Sequence, residues 1–172
     1  RMITALLDVE HMVHDKVTLH CERTDLRMLL HECMDLFGQV ALNKSFAMTL
    51  DTGAESIFAE VDHDRMLQVL SNLIGNALKF TSNGGIIKVS IRKQGSHAEI
   101  SVTDNGPGIP TQDRERIFDR FTKLTMNDRS GLGLGLFVAK WIVEAHKGHI
   151  WVTSDIESGS TFSFTLPLTA TQ

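Results

Sequence analysis

The chain has 172 residues, of which 42% are hydrophobic and 22% are charged, and its formal net charge at pH 7 is −4. This length predicts one domain with one core, and the acidic balance offers no basic stripe for a phosphate backbone, so a nucleic-acid partner is not expected. Cys21 and Cys33 are the only cysteines, which argues against a disulfide framework or a zinc knuckle and favours a reducing, cytoplasmic setting.

The amino-terminal segment reads as part of something longer. Residues 1–16 place apolar side chains at three- and four-residue spacing, which predicts the end of a helix entering from upstream. The sequence begins at Arg1 rather than Met, so we expect it to be a fragment of a longer parent chain. Whether that parent chain is anchored in a membrane stays an open question. No apolar stretch approaches the roughly 18 residues that a membrane-spanning helix needs.

The first half of the chain predicts two further helices and four strands. One helix follows Thr24 or Asp25 as its cap and runs through LRMLLHECMDLFGQVAL, and the other covers about residues 62–80. FAMTL and SIFAEV have the alternation of strands. IIKVSIRKQ and HAEISVTD alternate on either side of Gly95, which predicts an antiparallel hairpin.

The second half mixes short elements with loops. A short helix is predicted over residues 112–118, and the polar stretch RFTKLTMNDRS predicts a mobile loop. A helix opens in GLGLGL and continues through LFVAKWIVEAHK, and HIWVTSDI and TFSFTLPL predict two closing strands. Strands and helices do not alternate strictly, so we expect a mixed sheet covered by helices on one face rather than a doubly wound fold.

Two asparagines mark the helix predicted over residues 62–80. Asn72 and Asn76 lie four residues apart, so both amides project from one helix face, and Lys79 follows on that face. Asparagine is a poor residue for a helix interior unless it has a compensating role. Amide oxygens suit Mg²⁺, a hard cation that keeps several waters beside phosphates, so this face predicts a magnesium and phosphate site.

A carboxylate leaves a predicted strand at Asp104, in DNGPGIP. A buried carboxylate accepts hydrogen bonds only, so it would select the exocyclic amine of adenine over the carbonyl of guanine. The glycines of this motif would let the backbone approach a flat ring. An ordinary β-turn that begins at Asp104 and contains Pro and Gly is the alternative interpretation of this motif. The neighbouring motifs favour a pocket for the adenine base instead.

GLGLGL opens a helix, where unpaired amides and the positive end of the dipole form an anion site. Neither a Walker loop nor a Rossmann fingerprint occurs in the chain. A flexible hinge is the competing interpretation. Between this motif and Phe121, Lys123 and Arg129 are cations able to swing toward a triphosphate, and Lys123 lies just after two aromatic side chains, Phe118 and Phe121, that would anchor a lid.

LQVLSNLIGNALKFT, DNGPGIP, IFDRF, GLGLGL and GSTFSFTLPL, in this order and spacing, resemble the ATP-binding catalytic domain of sensor histidine kinases. These belong to the gyrase, Hsp90, histidine kinase and MutL superfamily. The resemblance covers about residues 24–168 and implies an α/β (α+β) two-layer sandwich of the Bergerat type, with a mixed, largely antiparallel sheet covered on one face by helices.

The resemblance also implies a role for each matching position. Asn76 would bind Mg²⁺ with Asn72 assisting, and Lys79 and Lys123 would join them in catalysis. The residues implied as contacts of ATP are Asn76, Lys79, Phe80, Asp104, Gly106, Gly108, Ile109, Lys123, Gly131, Gly133, Gly135, Leu136 and Thr161. Leu132 departs from the small or hydroxylated residue common in the family, which puts one phosphate contact and lid closure in doubt.

The resemblance further implies a phosphoacceptor histidine, and none of the eight histidines fits its motif. His63 imitates it, but thirteen residues of helix place His63 about 20 Å from Asn76. We therefore expect residues 1–16 to end a truncated dimerisation helix, and residues 17–172 to form the ATP-binding domain with a lid over about residues 120–132. The acceptor hairpin and a response-regulator receiver domain are the expected partners, with a homodimeric parent and a monomeric fragment.

Three alternatives stay open. The first is a conformational ATPase of the gyrase or Hsp90 kind. In those ATPases the resemblance implies, at the position that matches Asn72, a glutamate that activates water. The amide of Asn72 cannot act as a general base, which argues against this alternative. A second is a kinase of the same fold for serine or another acceptor. The third is a nucleotide-binding regulatory module or pseudokinase. Leu132 is compatible with this alternative, because it puts one phosphate contact and lid closure in doubt.

Overall fold

A computed structural model describes residues 18–122 and 133–169. Within them the α-helices are α1 (Leu26–Asn43), α2 (His63–Phe80) and α3 (Gly135–Ala145). The strands are β1 (Glu22–Asp25), β2 (Ala47–Asp51), β3 (Phe58–Val61), β4 (Ile86–Gln94), β5 (His97–Asp104), β6 (Ile150–Asp155) and β7 (Gly159–Pro167). Two short 3-10 turns occupy Thr111–Asp113 and Arg116–Phe118.

The main sheet has five strands in the order β2-β4-β5-β7-β6. Strand β2 pairs with β4 in parallel, and the other pairs in this sheet are antiparallel. The predicted mixed, largely antiparallel sheet is therefore confirmed. A separate antiparallel ladder joins β1 to β3. Strand β1 was not predicted, because its four residues, Glu-Arg-Thr-Asp, show no apolar alternation and are ordered by pairing with β3.

The two faces of the sheet differ in chemistry. Alternate residues of neighbouring strands, such as Ile100 and Phe164, are buried in the core that the helices cover. On the opposite face the Ser101 and Ser163 hydroxyls lie 2.8 Å apart. A helix layer therefore covers one face, as predicted, and side chains of successive residues alternate between the core and this hydroxyl-bearing face.

Helices α1 and α2 begin where the sequence predicts. Asp25 caps α1 by accepting a hydrogen bond from the Arg27 N–H, and Asp62 caps α2 by accepting one from the Arg65 N–H. The helix predicted over residues 112–118 is instead the pair of 3-10 turns, since only Ile117 and Phe118 of this polar segment are buried. Within the described residues, no helix is long and apolar enough to cross a bilayer.

Candidate nucleotide-binding site

Strand β5 ends at Asp104, whose side chain is buried with 7% exposure. The carboxylate accepts a hydrogen bond from the Gly106 N–H at 2.8 Å. Burial raises the pKa of Asp104, and the backbone N–H groups of Gly106 and Ser160 act in the opposite direction. A carboxylate offers about four acceptor positions, so Asp104 keeps the capacity to accept from a ligand.

The end of α2 meets the loop that follows Asp104. A Cβ atom added to Gly106 would lie 2.7 Å from Asp104 Oδ1 and 3.1 Å from Thr81 Oγ1, so glycine is required for this close approach. Thr81 directly follows α2, and its buried hydroxyl lies near the carboxylate without a hydrogen bond of normal geometry. A buried polar atom in this state fits a ligand atom or a bound water.

The turn between β6 and β7 holds the rest of this loop. Gly108 has φ +77°, and a Cβ there would lie 2.1 Å from the Asp155 carbonyl oxygen. The Glu157 N–H donates to the Pro107 carbonyl at 2.8 Å. Buried Ile109 donates its N–H to Ser154 Oγ at 2.8 Å. Of the predicted pocket residues, Gly106 therefore adjoins Asp104, and Gly108 and Ile109 are held against Asp155 and Ser154 at the end of β6.

Two residues that sequence reasoning missed complete this support. Ser154 accepts from the Ile109 N–H, and the Arg114 guanidinium donates to the Ser154 carbonyl oxygen. Arg114 also lies 3.4 Å from the Asp155 carboxylate. No local signal marks either residue, because both contacts join segments about 40 residues apart.

The amino terminus of α3 lies against α2. A Cβ on Gly135 would be 3.3 Å from Asn72 Oδ1, so the first residue of α3 adjoins the half-buried Asn72. Leu134 precedes α3 and makes no side-chain capping hydrogen bond, which leaves the first amides of α3 without a side-chain cap. Gly133 has φ +70°, and a Cβ there would lie 2.8 Å from the Thr122 carbonyl oxygen. The structure thus brings Asn72 and Gly135 together.

Helix α2 connects the two ends of the site. Nine residues separate Asn72 from Thr81, which corresponds to about 13 Å along the helix. Half-buried Asn76 lies between them, and the Lys79 ammonium lies 4.5 Å from the centre of the exposed Phe80 ring. Half-buried Leu136 follows Gly135 and packs against the core. One helix therefore carries polar side chains from the Asp104 end to the α3 end.

Thr161 is not brought to Asp104. Asp104 pairs across the ladder with Ser160, and Thr161 pairs with Thr103 on the opposite face, where their hydroxyls lie 3.0 Å apart. The support of the base by Thr161 stays a prediction, and the buried Ser160 is the hydroxyl that shares the face of Asp104.

The predicted lid has one anchor in the core. Phe118 is buried and meets Phe162 edge to face, with ring centroids 6.3 Å apart. Phe121 is 61% exposed, so it does not share this role. Lys123, Gly131, Leu132 and Arg129 lie outside the described residues, as do residues 1–16, and the roles predicted for them stay predictions.

His63 begins α2, at the end remote from Asn76. Its Nε2 atom lies 2.9 Å from the Glu32 carboxylate on α1. Partial burial opposes protonation, but the hydrogen bonds to Asp64 and Glu32 outweigh it and raise the pKa of His63. His63 thus has a structural role at the junction of α1 and α2.

The arrangement can be compared with known proteins. Residues 61–170 match the family described as histidine kinase-, DNA gyrase B- and HSP90-like ATPase. The chain is 40% identical, over 150 residues, to the adaptive-response sensory kinase SasA of Synechococcus sp. (strain CC9902). That alignment covers 86% of the chain and 39% of SasA, so the chain spans less than half of this relative.

Solved structures give the same grouping. The catalytic domain of histidine kinase ThkA superposes with a TM-score of 0.79 at 31% identity, covering 87% of this chain and 96% of the ThkA domain. Full-length ShkA in complex with AMPPNP superposes with a TM-score of 0.87 at 25% identity, covering 99% of this chain and 36% of ShkA. ThkA is also known in complex with the response regulator protein TrrA.

Proposed function

The chain belongs to the histidine kinase-, DNA gyrase B- and HSP90-like ATPase family, and from this premise we propose that it is the ATP-binding catalytic domain of a two-component sensor histidine kinase. It transfers the γ-phosphoryl group of ATP to a histidine on a dimerisation domain. The observation that carries this proposal is the placement of a buried carboxylate at the carboxyl end of α2 and of the α3 amino terminus beside Asn72, near the middle of α2, with Asn76 between the two.

The Asp104 end takes the base. The carboxylate accepts from the exocyclic amine of adenine, and the 6-oxo group of guanine would meet an acceptor instead of a donor. Gly106 and Gly108 keep the loop backbone close, and buried Ile109 supplies an apolar wall. Ser160 replaces Thr161 as the hydroxyl near the base, because it shares the face of Asp104.

The Asn72 end takes the phosphates. The carboxamide oxygens of Asn76 and Asn72 are neutral, hard donors, and this donor set fits Mg²⁺ in the partly hydrated state that it prefers beside phosphates. When bound, the ion neutralises charge that builds on the phosphoryl oxygens during transfer. The backbone N–H groups at the amino terminus of α3, from Gly135 onward, lie at the positive end of the helix dipole and bind the phosphates. Lys79 contributes a further positive charge.

Transfer is favoured over hydrolysis by the chemistry of Asn72. An amide has no titratable base with which to activate water, so the ATPase alternative of the gyrase or Hsp90 kind lacks the group it needs at this position. The chain then acts mainly by positioning the triphosphate and stabilising its charge. Lys123, Gly131 and Gly133 complete the phosphate end in this proposal.

The same proposal extends to the rest of the protein. Residues 1–16 end the second helix of a dimerisation hairpin, and residues 17–172 form the donor domain with a lid over about residues 120–132. The partners are an acceptor hairpin, from the same or a partner chain of a homodimer, and then a receiver domain. A reducing cytoplasm suits the two free cysteines.

Calorimetric titration with ATP tests the binding step. We expect binding that requires Mg²⁺ and is lost when EDTA removes the ion. Asn76→Ala and Asp104→Ala should each weaken affinity by at least about tenfold, since each removes a buried or charge-assisted contact. Asn43→Ala, at the exposed end of α1, is the matched control and should bind like the wild type. Unchanged affinity in folded Asp104→Ala protein would overturn the assignment of the base pocket.

Phosphoryl transfer is tested with γ-labelled ATP and a separately supplied acceptor hairpin from a histidine kinase. We expect label on the hairpin that is labile in acid and stable in alkali, as phosphohistidine is. Label stable in acid would instead favour a hydroxyl acceptor and the second alternative. ATP binding without any labelled acceptor would favour a regulatory module.

A further inference from the structure

The Ser154 hydroxyl lies at the centre of the hydrogen bonds that brace the base pocket. Its side chain belongs to β6 on the face of Asp104, and the residue is 4% exposed. Ser154 Oγ accepts from the Ile109 N–H at 2.8 Å and donates to the Gly159 carbonyl at 2.7 Å. It also lies 3.1 Å from Ser160 Oγ.

The direction of the last hydrogen bond follows from counting protons. A serine hydroxyl has one proton and two acceptor lone pairs. Ser154 gives its proton to the Gly159 carbonyl, which can only accept, and uses one lone pair for the Ile109 N–H. The remaining lone pair faces Ser160 Oγ, so Ser160 is the donor and Ser154 is the acceptor.

This direction determines what Ser160 presents to its surroundings. Ser160 and Asp104 are cross-strand partners, and such pairs hold their Cβ atoms about 4.5–5.5 Å apart on one face of the sheet. With its proton committed to Ser154, Ser160 has only lone pairs left for a ligand. The base pocket then offers acceptors from both strands, which suits an amine and repels a carbonyl oxygen.

We propose that Ser154 is a positioning residue that fixes Ser160 as an acceptor and thereby sets the selectivity of the pocket for 6-amino over 6-oxo purines. The proposal rests on the proposed nucleotide site, in which the base lies at Asp104. It assigns to Ser154 an effect on selectivity in addition to its bracing of the Ile109 loop.

The test compares the dissociation constants of ATP and inosine triphosphate, which differs by a 6-oxo group and the proton on N1. In Ser154→Ala, the Ser160 hydroxyl loses its acceptor and becomes free to donate to the 6-oxo group. We expect the ratio of the two constants to narrow by about tenfold, the effect of one buried hydrogen bond. Ser154→Thr keeps the hydroxyl and should restore the wild-type ratio.

Two further variants make the result decisive. Ser160→Ala keeps the Ile109 contact, removes the acceptor and should also narrow the ratio. Ser163→Ala removes an equally buried serine whose hydroxyl pairs with Ser101 on the other face, and it should leave the ratio unchanged. If Ser154→Ala merely disturbs the loop, both affinities fall equally and the ratio is kept, which would overturn the proposal.

Failure of this inference is distinguishable from failure of the proposed function. If the wild-type protein binds neither ATP nor inosine triphosphate, both the proposed function and the Ser154 proposal are wrong. Wild-type protein that prefers ATP, together with a Ser160→Ala variant of unchanged ratio, would remove the Ser154 proposal alone.

Discussion

The Nε2 atom of His146 accepts a hydrogen bond from the backbone N–H of Asp62 at 3.0 Å. The Nδ1 atom of the same ring donates to the Ile142 carbonyl at 2.8 Å, so the imidazole is neutral and protonated on Nδ1. One buried ring therefore ties the carboxyl end of α3 to the amino terminus of α2. This junction lies at the far end of α3 from Gly135 and at the amino terminus of α2, whereas Asn72 lies near the middle of α2.

Replacing His146 with Ala should destabilise the fold. The Asp62 N–H would be left buried without an acceptor, and a cavity would replace the ring, so we expect the free energy of unfolding to fall by about 2–4 kcal/mol. Urea titration followed by circular dichroism measures the change. His97→Ala, at an exposed position on β5, should alter stability by less than about 0.5 kcal/mol. Equal losses in the two variants would contradict the role of the junction.

Asp104→Asn should separate stability from function. Burial raises the pKa of Asp104 in the folded state, so its contribution to stability is present at low pH and is lost as pH rises through the folded pKa. At neutral pH the charged side chain therefore costs stability, and the neutral amide should make the ligand-free chain at least as stable. ATP affinity should nevertheless fall by at least about tenfold.

Unfolding of the wild type and Asp104→Asn in urea over a series from about pH 7 down to about pH 4 checks the sign of this effect. Because burial raises the pKa of Asp104, the stability advantage of the variant should shrink as the pH falls through the folded pKa. A variant that is less stable at pH 7 and gains nothing relative to the wild type at higher pH would show that the carboxylate is not penalised by burial.

Sequence reasoning located Asp104, Asn72 and Gly135 because each belongs to a local pattern with a chemical meaning. Thr161 is implied at the base by the family resemblance alone, and a sequence motif does not show which of two neighbouring strand residues shares a face with Asp104. The observed pairing of Asp104 with Ser160 supplies that information.

Ser154 and Arg114 could not be found in the same way. Each is an ordinary residue type in its own segment, and its role depends on which distant segment the fold brings beside it. The sheet order was equally out of reach, since β2 pairs with β4 across the whole of α2. Local patterns therefore identify the elements, and tertiary pairing decides which side chains share the site.

Two glycines should respond oppositely to alanine. Gly108 has φ +77° and no room beside the Asp155 carbonyl, so Gly108→Ala should lower the free energy of unfolding by about 2–4 kcal/mol through backbone strain and overpacking. Gly75 lies inside α2, and an added Cβ would meet nothing within 4 Å. Gly75→Ala should therefore raise stability by about 0.5–1 kcal/mol.

Thermal unfolding of both glycine variants measures these effects, with the wild type scanned at the same rate. A Gly108→Ala protein of wild-type stability would mean that the loop after Asp104 is free to move away from the β6–β7 turn. That result would contradict the inference that the β6–β7 turn holds the base pocket in place.

The two thiols should report folding and ligand binding together. Cys33 is fully buried, and burial, with a smaller effect of Glu32, raises its pKa to about 12. Cys21 is exposed, and its pKa is raised less strongly by burial and by Asp62 and Glu60. Because the thiolate is the reactive form, Ellman's reagent should label Cys21 in the native chain and should reach Cys33 only when the chain opens.

Saturating ATP with Mg²⁺ provides the corresponding control. A ligand that binds only the folded chain lowers the population of the open state by a factor of 1 + [L]/Kd, so at 100 times Kd the labelling of Cys33 should slow by about a hundredfold. Labelling of Cys21 needs no opening and should keep its rate. Equal slowing of both thiols would point to a direct block by the ligand, and unchanged labelling of Cys33 would mean that Cys33 is exposed by a local opening that the nucleotide does not oppose.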